Sequence, residues 1–325
     1  MIDKELVLQN CLTLIKDIKT ANDVNIEFSA RLSNAHENIT NIAAFNGGVV
    51  LNPAYIEQFS QPELAFIFAH EMAHLLYKHS AKQELLMEIS TYIRESINGV
   101  CNQKLRPDTI FYTVIGKRFE HEADLLGASM ANKANYYAEI SALEKMNQGL
   151  FALPYFADEH PFVEQRIQFL LQNPYPAYSA AEVTKEYLVL NDLSLKIKNN
   201  AVTPEVFSLM SSIEAQYVLT SHVNLLETRT FLENRRQSMS EALSMLTFSE
   251  NRKLYNSFSM ALKEYEEILK DKEDVAVICV LHEDAEEILK EATKMKRMVS
   301  NNFKHSFKVS AKKVLDKVIG DNYER

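Results

Sequence analysis

The sequence predicts an α+β protein, with a small antiparallel sheet over one central helix in residues 1–177 and a mostly α-helical C-terminal domain in residues 178–325. Three observations lead there. Short apolar runs of strand character gather between Val24 and Leu51. A strong helix start follows at Ser60-Gln61-Pro62-Glu63. The stretch Asn173-Pro174-Tyr175-Pro176 cannot continue a helix, and past it the texture turns helical without a fixed repeat period.

The elements follow in order. Leu6, Val7, Cys11, Leu14, Ile15 and Ile18 recur at helical spacing, predicting an amphipathic helix from about Asp3 to Lys19. Val24, Ile26 and Phe28 then alternate with polar neighbours as a half-buried strand does, and Ile39 to Phe45 and Val49 to Leu51 are further short strands. Asn46-Gly47-Gly48 between them is a turn or a point of close backbone approach. Ser60 as cap, Pro62 in the first turn and Glu63 completing a capping box start a long helix that should run to about Gln83. A second helical run covers Leu85 to Ile97, with a break expected around Asn98-Gly99 and Arg106-Pro107-Asp108. Lys117 to Asn132 and Pro161 to Gln172 read as helices. Beyond the boundary, Thr203-Pro204-Glu205 starts a helix, and Glu241 to Leu246, Lys253 to Lys270 and Glu283 to Met298 read as others. Val275 to Leu281 is strand or buried helix by periodicity.

Composition excludes several classes. A formal net charge of -9 argues against a constitutive nucleic-acid binder, which needs surplus Lys and Arg on one face. The three cysteines, Cys11, Cys101 and Cys279, are far apart and odd in number, so a reducing compartment is expected and any metal site must use His and carboxylates. Met1-Ile2-Asp3-Lys4-Glu5 lacks the pattern of a secretory signal, and no apolar run reaches the roughly 20 residues of a membrane-spanning helix. The reading is cytoplasmic. Acidic residues crowd 264–291 and lysines crowd 294–317, which reads as a solvated face of a helical bundle in preference to a partner or membrane-surface site.

Chemistry concentrates at His70-Glu71-Met72-Ala73-His74. Two imidazoles at i and i+4 on a capped helix share one face, so both can reach one zinc ion. Glu71 projects toward the same cleft, where a carboxylate can take a proton from water acidified by the metal. A catalytic zinc has three protein ligands and an open position. His79, on a continuous helix, turns to the far side, and Tyr77 and Ser80 stand where the longer Gly-and-His pattern would need Gly and His. The third ligand is therefore sought on another element. Phe119-Glu120-His121-Glu122-Ala123-Asp124 supplies Glu120 as ligand and, one turn on, Asp124 to accept the outer N–H of a ligand His. Small Ala123 and Gly127 would let that helix pack closely, while His121 and Glu122 read as packing or surface groups.

Four ordered blocks over about residues 38–172 carry a resemblance: Asn41 with Phe45-Asn46-Gly47-Gly48-Val49; Glu63-Leu64-Ala65 leading into the two-His motif and His79; Glu120 to Asp124; and His160-Pro161 followed by Arg166-Ile167. Together they resemble the HtpX, Oma-type and CAAX prenyl protease group of gluzincin metallopeptidases, peptidase family M48. The resemblance implies a zincin-like fold, one Zn2+ on His70, His74 and Glu120, Glu71 as base, Asp124 as supporting carboxylate and a protein or peptide substrate. It also implies that His160 steadies the oxyanion, that Arg166 fixes its loop or touches substrate, and that Asn41, Gly48 and Val49 position substrate, with Val49 to Leu51 as the edge strand pairing with an extended peptide. Many members carry transmembrane helices or an export signal. This chain shows neither, so their membrane or prenyl-protein roles are not carried over.

Two rival readings give residues 178–325 a role. In one the protein binds partners or acts like a chaperone, with a latent or structural zinc site. In the other the C-terminal helices cover the cleft and inhibit it.

Overall fold

The structure is a computed structural model that describes residues 3–34, 37, 39, 42–45, 47–101, 109–131, 136–147, 161–220, 225–248 and 251–270. Helix α1 (Lys4–Ala21) matches the amphipathic pattern. Asp3 caps it by accepting from the Leu6 N–H at 3.1 Å, and its buried face is Cys11, Leu14, Ile15 and Ile18.

Three strands follow, β1 (Ser29–Leu32), β2 (Ile42–Phe45) and β3 (Gly48–Leu51), in the order β1-β3-β2. The expected strand at Val24 to Phe28 carries no ladder; pairing begins one residue later, at Ser29. Gly48 sets that start, because a Cβ on it would fall 2.2 Å from the Ser29 carbonyl oxygen, so only glycine lets the backbones meet. The sheet is also mixed and not antiparallel throughout. The tight turn at Gly47, with φ +89°, folds β3 back antiparallel on β2. Since β3 then slots between β2 and an oppositely directed β1, it must run parallel to β1. Strand β3 is therefore central and not an edge.

After the short helix α2 (Pro53–Ile56), helix α3 (Gln61–Leu76) begins where the sequence predicts, with the Ser60 N–H donating to Glu63 Oε2 at 2.6 Å. Phe66, Phe68, Ala69, Met72 and Ala73 are all buried, so most of this helix is covered, with Glu71, His74 and Leu75 left half-buried along one side. It does not continue to Gln83. The chain turns at Lys78, which adopts φ +57°, and α4 (His79–Cys101) starts at once, running straight through Asn98-Gly99.

Helix α5 (Thr109–Ala131) starts earlier than expected, and α6 (Tyr136–Asn147) has no counterpart among the predicted elements. Then come α7 (Val163–Gln172), α8 (Ala180–Lys198), α9 (Pro204–Leu219), α10 (Leu225–Met245) and α11 (Arg252–Lys270). Glu241 to Leu246 is thus mostly the tail of a much longer helix. The features expected at Arg106-Pro107-Asp108, Val275 to Leu281, Glu283 to Met298 and 294–317 lie outside the described residues.

Apolar burial organises these elements into contiguous cores. One joins α1, the sheet, α3 and α5; a smaller one joins α3 with α6 and α7. The largest takes Leu86, Ile89, Ile93 and Ile97 of α4 and Phe111, Val114, Ile115 and Phe119 of α5 and packs them against α8 to α11. Helices α4 and α5 therefore belong to both halves. Within that core Arg235 donates to both Glu214 oxygens, at 3.0 and 2.9 Å, and Tyr265 donates to Glu214 at 2.5 Å, which ties α9, α10 and α11 together. Among the described residues, no helix is long and apolar enough to cross a membrane.

Candidate metal centre

Helix α3 packs most extensively against α5, and that contact assembles the site. His70 and His74 extend their Nε2 atoms to 3.1 Å of each other. Glu120 comes from α5, with Oε2 at 3.5 Å from His70 Nε2 and Oε1 at 3.4 Å from His74 Nε2. Zinc bonds of about 2.0–2.1 Å in a tetrahedron separate ligand atoms by about 3.3–3.4 Å, so these spacings suit a single small ion. Two imidazole nitrogens and one carboxylate oxygen could hold it, and no other such cluster occurs among the described residues.

The close approach rests on small residues. Ala123 is fully buried, and a Cβ on Gly127 would fall 2.8 Å from the His70 Cα and backbone nitrogen. The expectation drawn from these two positions holds. Glu71 follows His70 on the same helix, half-buried, and its charge acts on Arg166.

Behind His70 the buried carboxylate of Asp124 has Oδ1 3.0 Å from Nδ1, the position of a group that accepts the outer N–H of a ligand. Arg166 clamps Asp124 from α7, with Nε and Nη2 donating at 2.7 and 2.6 Å, and its Nη2 is 3.5 Å from Glu120. Burial alone would raise the Asp124 pKa; Arg166 and His70 outweigh it and hold the group well below the usual carboxylate range. The guanidinium is raised in turn, Asp124 prevailing over burial. Arg166 is thus turned inward, to this carboxylate and to Glu120.

Behind His74 stands a set of partners that the helical spacing did not reveal. Because the chain breaks at Lys78, His79 folds back, with Nδ1 3.0 Å from His74 Nδ1 and Nε2 3.2 Å from Glu122 Oε2. Glu122 also accepts from Arg118 at 2.7 Å. Burial lowers the pKa of His79 and takes that of His74 down to about 3, which keeps both imidazoles neutral and able to ligate or accept. Burial pushes His70 down as well, but Asp124 and Glu120 outweigh it and its pKa is raised. Glu122 is held at about 2: burial opposes this, and His79 and Arg118 prevail. His121, by contrast, packs its ring 4.3 Å from Phe169, as a packing group should.

Gly48 and Val49 sit in the central strand, with neighbours on both sides, and Val49 is fully buried. Neither offers an open ladder to a peptide, which corrects the edge-strand expectation. Asn41 and His160 lie outside the described residues.

Comparison with protein families decides what this geometry belongs to: the model of peptidase family M48 matches residues 16–173. These residues are a domain of peptidase family M48. The match spans the sheet, α3 and the Glu120 helix and ends at the close of α7, so every group around the His cluster from His70 to Arg166 lies inside the M48 domain. That membership supports a metallopeptidase function acting on protein or peptide. Comparison with curated proteins and with solved structures found no match.

Proposed function

We propose that the protein is a zinc-dependent endopeptidase, with His70, His74 and Glu120 as the metal ligands and Glu71 as the general base. The observation that carries this reading is the convergence of two imidazole Nε2 atoms and a carboxylate at 3.1–3.5 Å in the M48 domain. When bound, zinc would acidify a water and polarise a substrate carbonyl. Glu71, on the ligand helix beside His70, takes the proton of the attacking water and returns it to the leaving amine. Asp124, clamped by Arg166, stands with Oδ1 3.0 Å from His70 Nδ1, placed to take the outer N–H of His70 and so to present the Nε2 lone pair to the metal. His160, from the resemblance, is proposed to steady charge on the carbonyl oxygen.

Elemental analysis combined with a cleavage assay on an unfolded protein tests the reading. One zinc per chain is expected, lost in His74→Ala and Glu120→Ala. Glu71→Gln should retain zinc while cleavage drops by about 10²-fold or more. A chain without zinc, or Glu71→Gln cleaving at the wild-type rate, overturns the assignment.

A further inference from the structure

Of the two imidazoles, His70 has its outer partner secured inside the M48 domain, by Arg166. His74 is secured differently. Its Nδ1 faces His79, whose ring is sandwiched between Phe119, at 4.3 Å and 11° between planes, and Tyr77, at 5.4 Å and 23°. The far nitrogen of His79 faces Glu122, and Arg118 fixes Glu122. Arg118 in turn is held from α9: its Nη1 donates to Thr220 Oγ1 at 2.8 Å, and its guanidinium carbon lies 4.1 Å from the centre of the Tyr217 ring. Tyr217 donates to Glu186 of α8 at 2.5 Å, and Glu186 pairs with Lys82 of α4.

The order of donors follows from which atom of His74 faces the metal site. A ligand His binds through one ring nitrogen and keeps its proton on the other. His74 turns Nε2 toward His70 and Glu120, so its Nδ1–H is the donor to His79 Nδ1 at 3.0 Å. His79 then carries its own proton on Nε2, the atom 3.2 Å from Glu122 Oε2. Glu122 thereby selects the ligating tautomer of His74, and Arg118 sets where Glu122 stands.

We propose that Arg118 is a positioning residue through which helix α9 orients His74 for the metal, so that the C-terminal helices complete the metal centre. The proposal rests on the zinc reading above. It gives a defined role to the chain beyond residue 173, outside the M48 match. Tyr217 and Thr220 hold the outer end of the relay, and Phe119 and Tyr77 keep its middle flat.

Zinc affinity of the full-length chain, measured by competition with a chromophoric chelator, tests it. Loss of an outer partner weakens metal binding by about 10- to 100-fold, so Arg118→Gln is expected to lose about tenfold. Thr220→Val and Tyr217→Leu, which act from α9, should each lose about threefold, less than the full outer-partner effect. Combined with Arg118→Gln they should add little, because the same link is already cut. Arg118→Lys should recover part of the loss, and the absorption bands of the cobalt(II)-loaded protein should shift in Arg118→Gln. Ser194→Ala removes a 2.7 Å hydrogen bond from α8 to Glu88 of α4 outside the relay and should leave zinc affinity unchanged. Folded Arg118 and α9 variants that bind zinc like the wild type overturn the proposal, as do fully additive losses. Should Tyr217→Leu fail to fold, Thr220→Val, at an exposed position, carries the same test. A wild-type chain that takes up no zinc instead rejects the peptidase reading itself, so the two failures are distinguishable.

Discussion

Gly127 of α5 faces His70 of α3 so closely that a Cβ on it would stand 2.8 Å from the His70 Cα and from its backbone nitrogen. Helix α5 can deliver Glu120 to the histidines only because no side chain intervenes there.

Gly127→Ala should therefore push the two helices apart. Overpacking of this kind costs about 1–3 kcal/mol, and the ligand spacing should widen with it. Thermal unfolding and zinc titration read both effects; an unchanged melting temperature with unchanged zinc affinity would contradict the account of this contact.

Arg166 and Asp124 form a buried pair whose members cannot be removed singly without penalty. Arg166→Met leaves the Asp124 carboxylate, fully buried, with only the His70 imidazole beside it, and should cost about 3–5 kcal/mol. Changing Asp124 to Asn in the same chain should recover part of that loss. Urea unfolding of the single and double variants checks it, and a double variant less stable than Arg166→Met alone would refute the pairing argument.

Glu139 of α6 is buried beside the Tyr175 hydroxyl at 3.3 Å, and burial pushes its pKa up to about 7. Between the unfolded value near 4.5 and about 7 the folded chain binds a proton that the unfolded chain has lost, so stability falls as pH rises through that window. Glu139→Gln removes the cost of charging and should stabilise the protein at pH 8 by an amount on the order of 2 kcal/mol. Melting curves from pH 5 to 8 should flatten in the variant, and identical slopes in both proteins would count against the raised pKa.

Glu63 behaves in the opposite sense. Burial would raise its pKa, but Lys145 at 2.8 Å, Ser141 and the Ser60 N–H hold it at about 2. Its contribution is fully present above about 4.5 and is lost as pH falls toward 2. Glu63→Gln should destabilise by about 1–3 kcal/mol at pH 7, and the gap to wild type should close in acid. Unfolding midpoints at pH 7 and pH 3 decide it; a gap that persists unchanged would show that the charge is not what stabilises the start of α3.

Local chain chemistry determined a good part of this protein. The spacing of His70, Glu71 and His74 behind the Ser60–Glu63 start, the i, i+4 pair Glu120 and Asp124, and the small residues Ala123 and Gly127 are all properties of single helices, and helical period is written in sequence. What tertiary structure decided is the set of partners around them. No glycine or asparagine marks the break at Lys78, which adopts φ +57°, so nothing local announced that His79 would fold back onto His74 or that Glu122 would meet it. The inward turn of Arg166 and the central place of β3 depend likewise on which segments, far apart in sequence, come to lie side by side. Periodicity tells a residue which face of its own element it occupies; only the packed chain determines what that face meets.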